Sequence, residues 1–357
     1  MATFEGGDGP DNYVGGNKAD LIRGNGGGDF LDGGRGADTV EGGAGMDNVL
    51  GGLDLDRDLL DGGDGDDFVS GRFHDTLAGG LDNDQFTLRF NNVAKGLKLD
   101  MTGAATGGTW IGAGHTQLSG FERGRLFMGA GDDVVNAGDH ELTISGGDGD
   151  DRLIGGGTGI NQFDGGAGND TMYGGAGLHD RAMYTAAKDG VEVHLNNDGP
   201  QNTRGAGIDL LNGIEEVWGS RHNDTFGGSL AADALYGFDG RDAFVGGGQG
   251  DTMLGGAGKD RFAFVAVLDG DDATETTDAV VADRDIVGLS DIDADVTQPG
   301  DQAFTIIETA FTGHAGEMRV YFDGNSTRVY IDVDGDGFTD GGIWLGEGDQ
   351  TGLNFAL

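Results

Sequence analysis

Carboxylates at regular intervals are the residues of this chain with the most evident chemistry. Asp11, Asp20, Asp29, Asp38 and Asp47 recur every nine residues, each in sixth place of a unit that opens on Gly6, Gly15, Gly24, Gly33 or Gly42. Two places further on stand Tyr13, Ile22, Leu31, Val40 and Val49. The cleanest stretch, Gly33–Leu50, reads GGRGADTVE and then GGAGMDNVL. An aspartate carboxylate is a hard oxygen ligand of the kind that suits Ca²⁺. The glycines permit positive φ and close approach of neighbouring turns, and the apolar residue gives each short strand one inward side chain. A single such unit buries almost nothing, so copies must stack to be stable.

The same spacing returns late in the chain, in units from Gly219, Gly228, Gly237, Gly246 and Gly255. Their sixth places are Asp224, Asp233, Asp242, Asp251 and Asp260, and their eighth are Phe226, Leu235, Phe244, Met253 and Phe262. A second acidic pattern, Asp332-Val-Asp334-Gly-Asp336-Gly337 followed by Asp340, has the spacing of an EF-hand-type calcium loop. Ile343 stands where that loop needs a glutamate. The other reading is a polar turn between the strand-like runs TRVYIDV and GGIWL.

Other chemistries find no motif. His140-Glu141 is followed by Leu142, Thr143 and Ile144, so the second histidine of a HExxH zinc site is missing. His74, His115, His179, His194, His222 and His314 are scattered and are expected in exposed turns. Lys259 precedes Asp260 rather than Ser or Thr, so the glycines do not make a phosphate loop, and no GxSxG occurs. Asp132-Asp133 and Asp150-Asp151 could each be taken for an acid–base pair, but in this setting they read as ligands. Trp110, Trp218 and Trp344 could form a sugar-binding platform or anchor β structure; the second is expected. No enzymatic activity is expected.

Composition narrows the partners. The 357 residues carry a formal net charge of −42, with 77 Gly and no Cys. Such acidity disfavours nucleic acid and anionic membranes and favours cations. Glycine-rich, charged composition resembles a disordered chain; the strict period and the 19 Phe argue against that. The absence of cysteine rules out disulfides and fits a protein that relies on metal in an oxidising exterior. The first residues show neither a basic nor an apolar region of a Sec-type signal peptide, and no apolar run is long enough to span a membrane.

The elements that must position the carboxylates are short strands. A first repeat block is expected over 1–87, slipping where the Gly51 unit stretches to eleven residues and the Gly71 unit falls one short; GGDGDDFVS carries Asp67, and a weaker GGLDNDQFT follows. A β-rich spacer spans 88–128, with LKLDM and GAGHTQLSGFE. A second block, 129–184, carries Asp133, Asp151 and Asp170. The second spacer, 185–218, echoes the first with VEVHL and GAGIDLLNGIE, an internal duplication that reads as small insertions or caps. The third block covers 219–263, and residues 264–357 form a β domain with the runs FAFVAV, AFTIIETAF, MRVYF, TRVYIDV and GGIWL. The best helix signal, Asp278–Asp285, is short.

The nonapeptide resembles the RTX calcium-binding repeat. The tail is similar to the C-terminal domain of serralysin-type secreted proteins, through DRFAF, DRDIVGLSDIDAD, GDQAFTII, AGEMRVYF and LNFAL. The resemblance implies an all-β fold, a right-handed parallel β-roll with calcium in rows between turns, held by sixth-place aspartates and turn carbonyls. The implied ligands are Asp11, Asp20, Asp29, Asp38, Asp47, Asp67, Asp133, Asp151, Asp170, Asp224, Asp242, Asp251 and Asp260. Asp233 is set apart because GSLAADALY lacks two glycines, and the unit ending ELTIS, with Leu142 at the aspartate place, is expected to bind no calcium. Type I secretion through an uncleaved C-terminal signal, of which LNFAL is reminiscent, is also implied. Hence the expectation is a calcium-folded extracellular or cell-surface protein that is structural or adhesive, with calcium, the secretion machinery and a surface polysaccharide as partners. A polysaccharide-acting enzyme or a toxin-like effector are the alternatives.

Overall fold

The computed structural model describes residues 1–102, 110–111, 116–247, 250–264, 274–278, 285–290, 292–299, 302–347, 351 and 353–357, with backbone only at 110–111 and 274–278. His115 and much of the FAFVAV run lie outside the described residues, as do 279–284 of the helix signal and the side chain of Trp110. Among the described residues there is no α-helix. The chain forms two compact units, Met1–Asp180 and Arg181–Leu357.

In the first unit every second nonamer stacks on the same sheet. Thr3–Glu5, Leu21–Gly26, Thr39–Ala44, Leu59–Asp64, Thr76–Leu81 and Gln117–Ser119 pair in parallel, in that order. The intervening strands Asn12–Val14, Phe30–Asp32, Asn48–Leu50, Phe68–Arg72, Gln85–Arg89, Arg123–Phe127, Glu141–Asp148 and Gln162–Ala167 form a second parallel sheet. Thr39 lies opposite Leu21, eighteen residues back, so two nonamers make one coil. The apolar side chains two places after the ladder aspartates fall in line: Ile22, Val40, Leu60 and Leu77 in one column, Leu31, Val49, Val69 and Phe86 in the other, all buried. This is a parallel β-roll. Each coil completes its neighbour's core, which is why one nonamer alone cannot fold.

Glycine is required where coils approach. Gly43 has φ +116°, and a Cβ there would run into the backbone of Asn25 in the coil before. The eleven-residue unit from Gly51 keeps its pairing because the extra residues bulge outward, leaving Leu53 and Leu55 exposed while Leu60 stays in the core.

The spacers contribute to the columns rather than standing apart as insertions. Lys98–Asp100 opens a third parallel sheet with Val134–Asn136, Arg152–Ile154 and Thr171–Tyr173, which lines up Leu99, Val135, Leu153 and Met172. Glu192–His194 does the same in the second unit, placing Val193 before Phe226, Phe244, Phe262 and Val287. Each spacer then folds back as an antiparallel pair, Trp110–Ile111 on Gln117–Ser119 and Gln201–Asn202 on Ile208–Asn212. The duplication seen in sequence is thus repeated in structure.

In the second unit the phenylalanine column stacks, with ring centroids 5.3 Å apart for Phe226–Phe244 and 5.0 Å for Phe244–Phe262. Asn354–Ala356 extends that sheet in parallel beside Ile286–Gly288. The runs MRVYF, TRVYIDV and GGIWL become Glu317–Phe322, Ser326–Asp332 and Gly341–Glu347, a small antiparallel sheet. Trp218 anchors rather than offering a bare platform: its ring lies under the Arg181 guanidinium at 4.0 Å and its Nε1 donates to Glu216 at 2.7 Å.

Candidate metal centre

Each sixth-place aspartate directly precedes a strand, so stacking the strands stacks the carboxylates. Along one edge the backbone N–H of Asp11 donates to Asp29 Oδ1 (2.7 Å), that of Asp29 to Asp47 (2.8 Å), that of Asp47 to Asp67 (2.8 Å) and that of Asp67 to Asp84 (2.8 Å). The other edge runs Asp20, Asp38, Asp58 and Asp75 by the same bond. Asp133, Asp151 and Asp170 form a third ladder, and Asp224, Asp242, Asp260 and Asp285 a fourth. Asp233 donates to Asp251 in a fifth, despite the two glycines its unit lacks.

In Asp11, Asp20, Asp75, Asp224 and Asp233 the second carboxylate oxygen accepts from a nearby backbone N–H, but in other members the ladder bond uses one oxygen and leaves the other. Among the described residues, Oδ2 of Asp29, Asp38, Asp47, Asp67, Asp84, Asp151 and Asp242 is buried with no hydrogen-bond partner. A bare buried carboxylate oxygen is expensive unless a cation meets it. The first glycine of each unit shapes the space in front of that oxygen. A Cβ on Gly24 would fall against Asp29 Oδ2 and the carbonyl oxygen of Gly42, one coil on. Gly42, Gly62 and Gly146 stand in the same relation to Asp47 and Gly62 O, Asp67 and Gly79 O, and Asp151 and Gly165 O. Only hydrogen is small enough there, and what the missing side chain leaves is a cradle of hard oxygens. That donor set fits Ca²⁺ and contains neither the nitrogen nor the sulfur that zinc prefers.

The charge state agrees. Burial, reinforced by like charges along the ladder, pushes Asp58 up to about 8, Asp67 and Asp242 to about 7, and Asp38, Asp75, Asp84 and Asp151 to about 6. Without a cation these groups hold protons at pH values where free aspartate would not.

Counting from the glycines misses several ladder members. Asp58 stands eighth in its unit and Asp75 fifth, and Asp285 follows Asp260 only after twenty-five residues. Asn161 takes a ladder place, its Oδ1 accepting from Leu142 N (3.3 Å) while its own N–H donates to Asp180 (2.7 Å). Asp84, in the weak unit GGLDNDQFT, closes the aspartate run of its edge and donates to Glu122 Oε2 (2.7 Å). What identifies these residues is that each precedes a strand with an inward apolar residue, a rule that survives insertions. Leu142 is corrected by the same rule: it is a buried core residue opposite Gly124, and His140 holds the place before the strand Glu141–Asp148. The ladder place still lacks a carboxylate, because His140 holds it, with Nδ1 2.9 Å from Ala137 O.

The C-terminal loop brings Asp332, Asp334 and Asp340 together, with a ligand atom of each within 4.8 Å of the others. Asp332 caps the turn, accepting from Gly335 N (2.7 Å) and Gly337 N (3.0 Å), and Asp340 accepts from Val333 N (2.6 Å). Asp336 is not part of the cluster; it accepts from Phe338 N (2.8 Å).

Residues 5–40, 23–57, 143–157, 218–253 and 236–263 match the RTX calcium-binding nonapeptide repeat. The chain therefore carries several copies of a repeat that binds Ca²⁺, folded as a parallel β-roll. Asp67, Asp133 and Asp170 lie outside those matches yet stand on the same kind of ladder. No curated protein matches the chain.

Proposed function

We propose that this is a secreted calcium-binding protein, exported by a type I route and folded by Ca²⁺ outside the cell, whose role is structural or adhesive rather than enzymatic. The observation that carries the reading is the ladder itself: stacked carboxylates, of which Asp29, Asp47, Asp67 and Asp151 each turn a buried Oδ2 to the space beside the carbonyl oxygen of a glycine one coil on. The proposed ligands are the ladder aspartates, with Asp332, Asp334 and Asp340 as a separate loop site. In the cytosol, where calcium is scarce, self-repulsion among 63 acidic residues keeps the chain extended and able to pass a channel. Outside, binding and folding become one event. A serralysin-like role for 264–357, capping the roll and carrying the export signal, belongs to the same reading; Phe355 beside Val287 would be free to act as a signal only before folding.

The test is localisation. In cells expressing the chain, the protein should be recovered from the surface or matrix in calcium and be released into the medium by an EDTA wash. Retention inside the cell at every calcium level would contradict the proposal.

A further inference from the structure

One sheet face in the first unit departs from the acidic character of the chain. The outer face of Phe68–Arg72, Gln85–Arg89, Arg123–Phe127, Glu141–Asp148 and Gln162–Ala167 holds an open groove of about 430 Å³. Register puts Phe68, Gln85, Arg123 and Glu141 in one row across it and Thr87, Arg125 and Thr143 in the next. Arg123 and Arg125 are exposed, and among the described residues neither forms an ion pair. With its amide turned oxygen-inward, Gln85 accepts from Arg123 Nε (2.9 Å) and Nη2 (3.1 Å), which holds the guanidinium over the groove. Arg72 and Arg89, opposite each other in register, flank the same face.

The groove coincides with the gap in the aspartate ladder. The residues preceding these five strands are Asp67, Asp84, Glu122, His140 and Asn161, so the aspartates lapse where the arginines appear. Both changes reduce the negative potential at one place on a chain of net charge −42. The backbone groups of the strands are committed to their neighbours, so recognition here is by side chains alone.

From this face we infer a binding groove for an acidic polysaccharide, a sugar chain bearing carboxylates. Guanidinium groups match carboxylates in charge, and the fork of Arg125 matches them in geometry as well, whereas Arg123 spends its Nε/Nη2 edge on Gln85 and offers its remaining N–H groups. Thr143, Glu141 and the Gln85 amide suit sugar hydroxyls, and Phe68 offers a flat apolar surface. Glu141 within the groove and the acidic surroundings repel every polyanion, and most strongly a phosphate-dense one such as duplex nucleic acid, whose charges are closer together than carboxylates set one per sugar. An extended acidic peptide would seek a sheet edge, where backbone bonds are open, rather than this face. The inference deepens the adhesive reading and rests on it.

The experiment is calorimetric titration of the calcium-loaded full chain, at fixed free calcium, with oligomers of galacturonate, mannuronate and glucuronate and with their methyl-esterified forms. At least one acidic oligomer should bind, more weakly as salt rises, and its ester should not. Arg123→Gln or Arg125→Gln should weaken binding about tenfold each, while Arg241→Gln, on an exposed loop of the second unit, should leave it unchanged. Binding of none of the acids would overturn the inference, as would equal binding of the esters or of poly-glutamate, or wild-type affinity in the Arg123→Gln/Arg125→Gln double variant. Circular dichroism of the same samples separates this outcome from failure of the calcium-folding reading, because the roll should be intact in every variant.

Discussion

The backbone N–H of Asp29 donates to Oδ1 of Asp47 at 2.8 Å, while Oδ2 of Asp47 is buried with no hydrogen-bond partner among the described residues. One carboxylate thus sets the register between coils and presents a charged oxygen to the space in front of it. The two tasks are separable by substitution.

Asp47→Asn keeps an oxygen for the ladder bond and removes the charge. In calcium at about a hundredfold above Kd, the variant should lose roughly 2–3 kcal/mol of stability, the binding energy of one site. In EDTA at about pH 5, where protons partly replace the cation and keep the fold populated, the same substitution should be neutral or stabilising, because a buried ionisable group has been removed. Thermal melts in these two conditions check this; equal losses in both would assign Asp47 a purely structural role.

Gly24→Ala should abolish the site at Asp29, since the methyl would occupy the space between Asp29 Oδ2 and Gly42 O. Gly7→Ala is the control: no atom there comes nearer than 4.0 Å to the added carbon, so its effect should stay within about 0.5 kcal/mol. The two are compared by the number of calcium ions bound and the melting temperature. Site loss in neither variant would remove the cradle from the account.

Acid should partly replace calcium. In the folded chain without cation, Asp58 titrates at about 8, Asp67 and Asp242 at about 7 and Asp38 at about 6, all above the value of about 3.9 in an unfolded chain. Between roughly pH 4 and 8 the folded state therefore binds more protons than the unfolded one. Its stability is fully present below that window and is lost as pH rises through it. In EDTA the β content by circular dichroism should be higher at about pH 5 than at about pH 7.5, and calcium affinity should show the opposite trend. A calcium-free β content that rises with pH would contradict the assignment.

Phe244→Ala removes the middle of the stacked Phe226–Phe244–Phe262 column. It should cost about 3–5 kcal/mol in the second unit, read from the calcium-loaded melt. A change below about 1 kcal/mol would mean that metal alone holds the column in place.

The strict period makes the roll and its regular ligands legible without structure, because Asp38 and Val40 keep the same distance from Gly33 in every clean copy. Asp58, Asp75 and Asp285 are illegible to that count, since loops outside the core absorb insertions while the strand that follows keeps its register. Leu142 shows the converse: counted along the nonamer that opens on Ala137 it occupies a ligand place, and the apolar column claims it, leaving the ladder place to His140. The spacers read as separate because their glycines thin out, yet Leu99 and Val193 each begin a buried column. The arginine groove leaves no local motif, because Arg123 and Glu141 become neighbours only through pairing across strands.

The central claim, that carboxylate ladders and calcium make the fold, is tested most directly by calcium titration of EDTA-treated full-length protein followed by far-UV circular dichroism and hydrodynamic radius. The account predicts an expanded, strand-poor chain at neutral pH that compacts cooperatively into β structure as calcium is added. A chain already compact and β-rich in EDTA at neutral pH, unchanged by calcium, would contradict it.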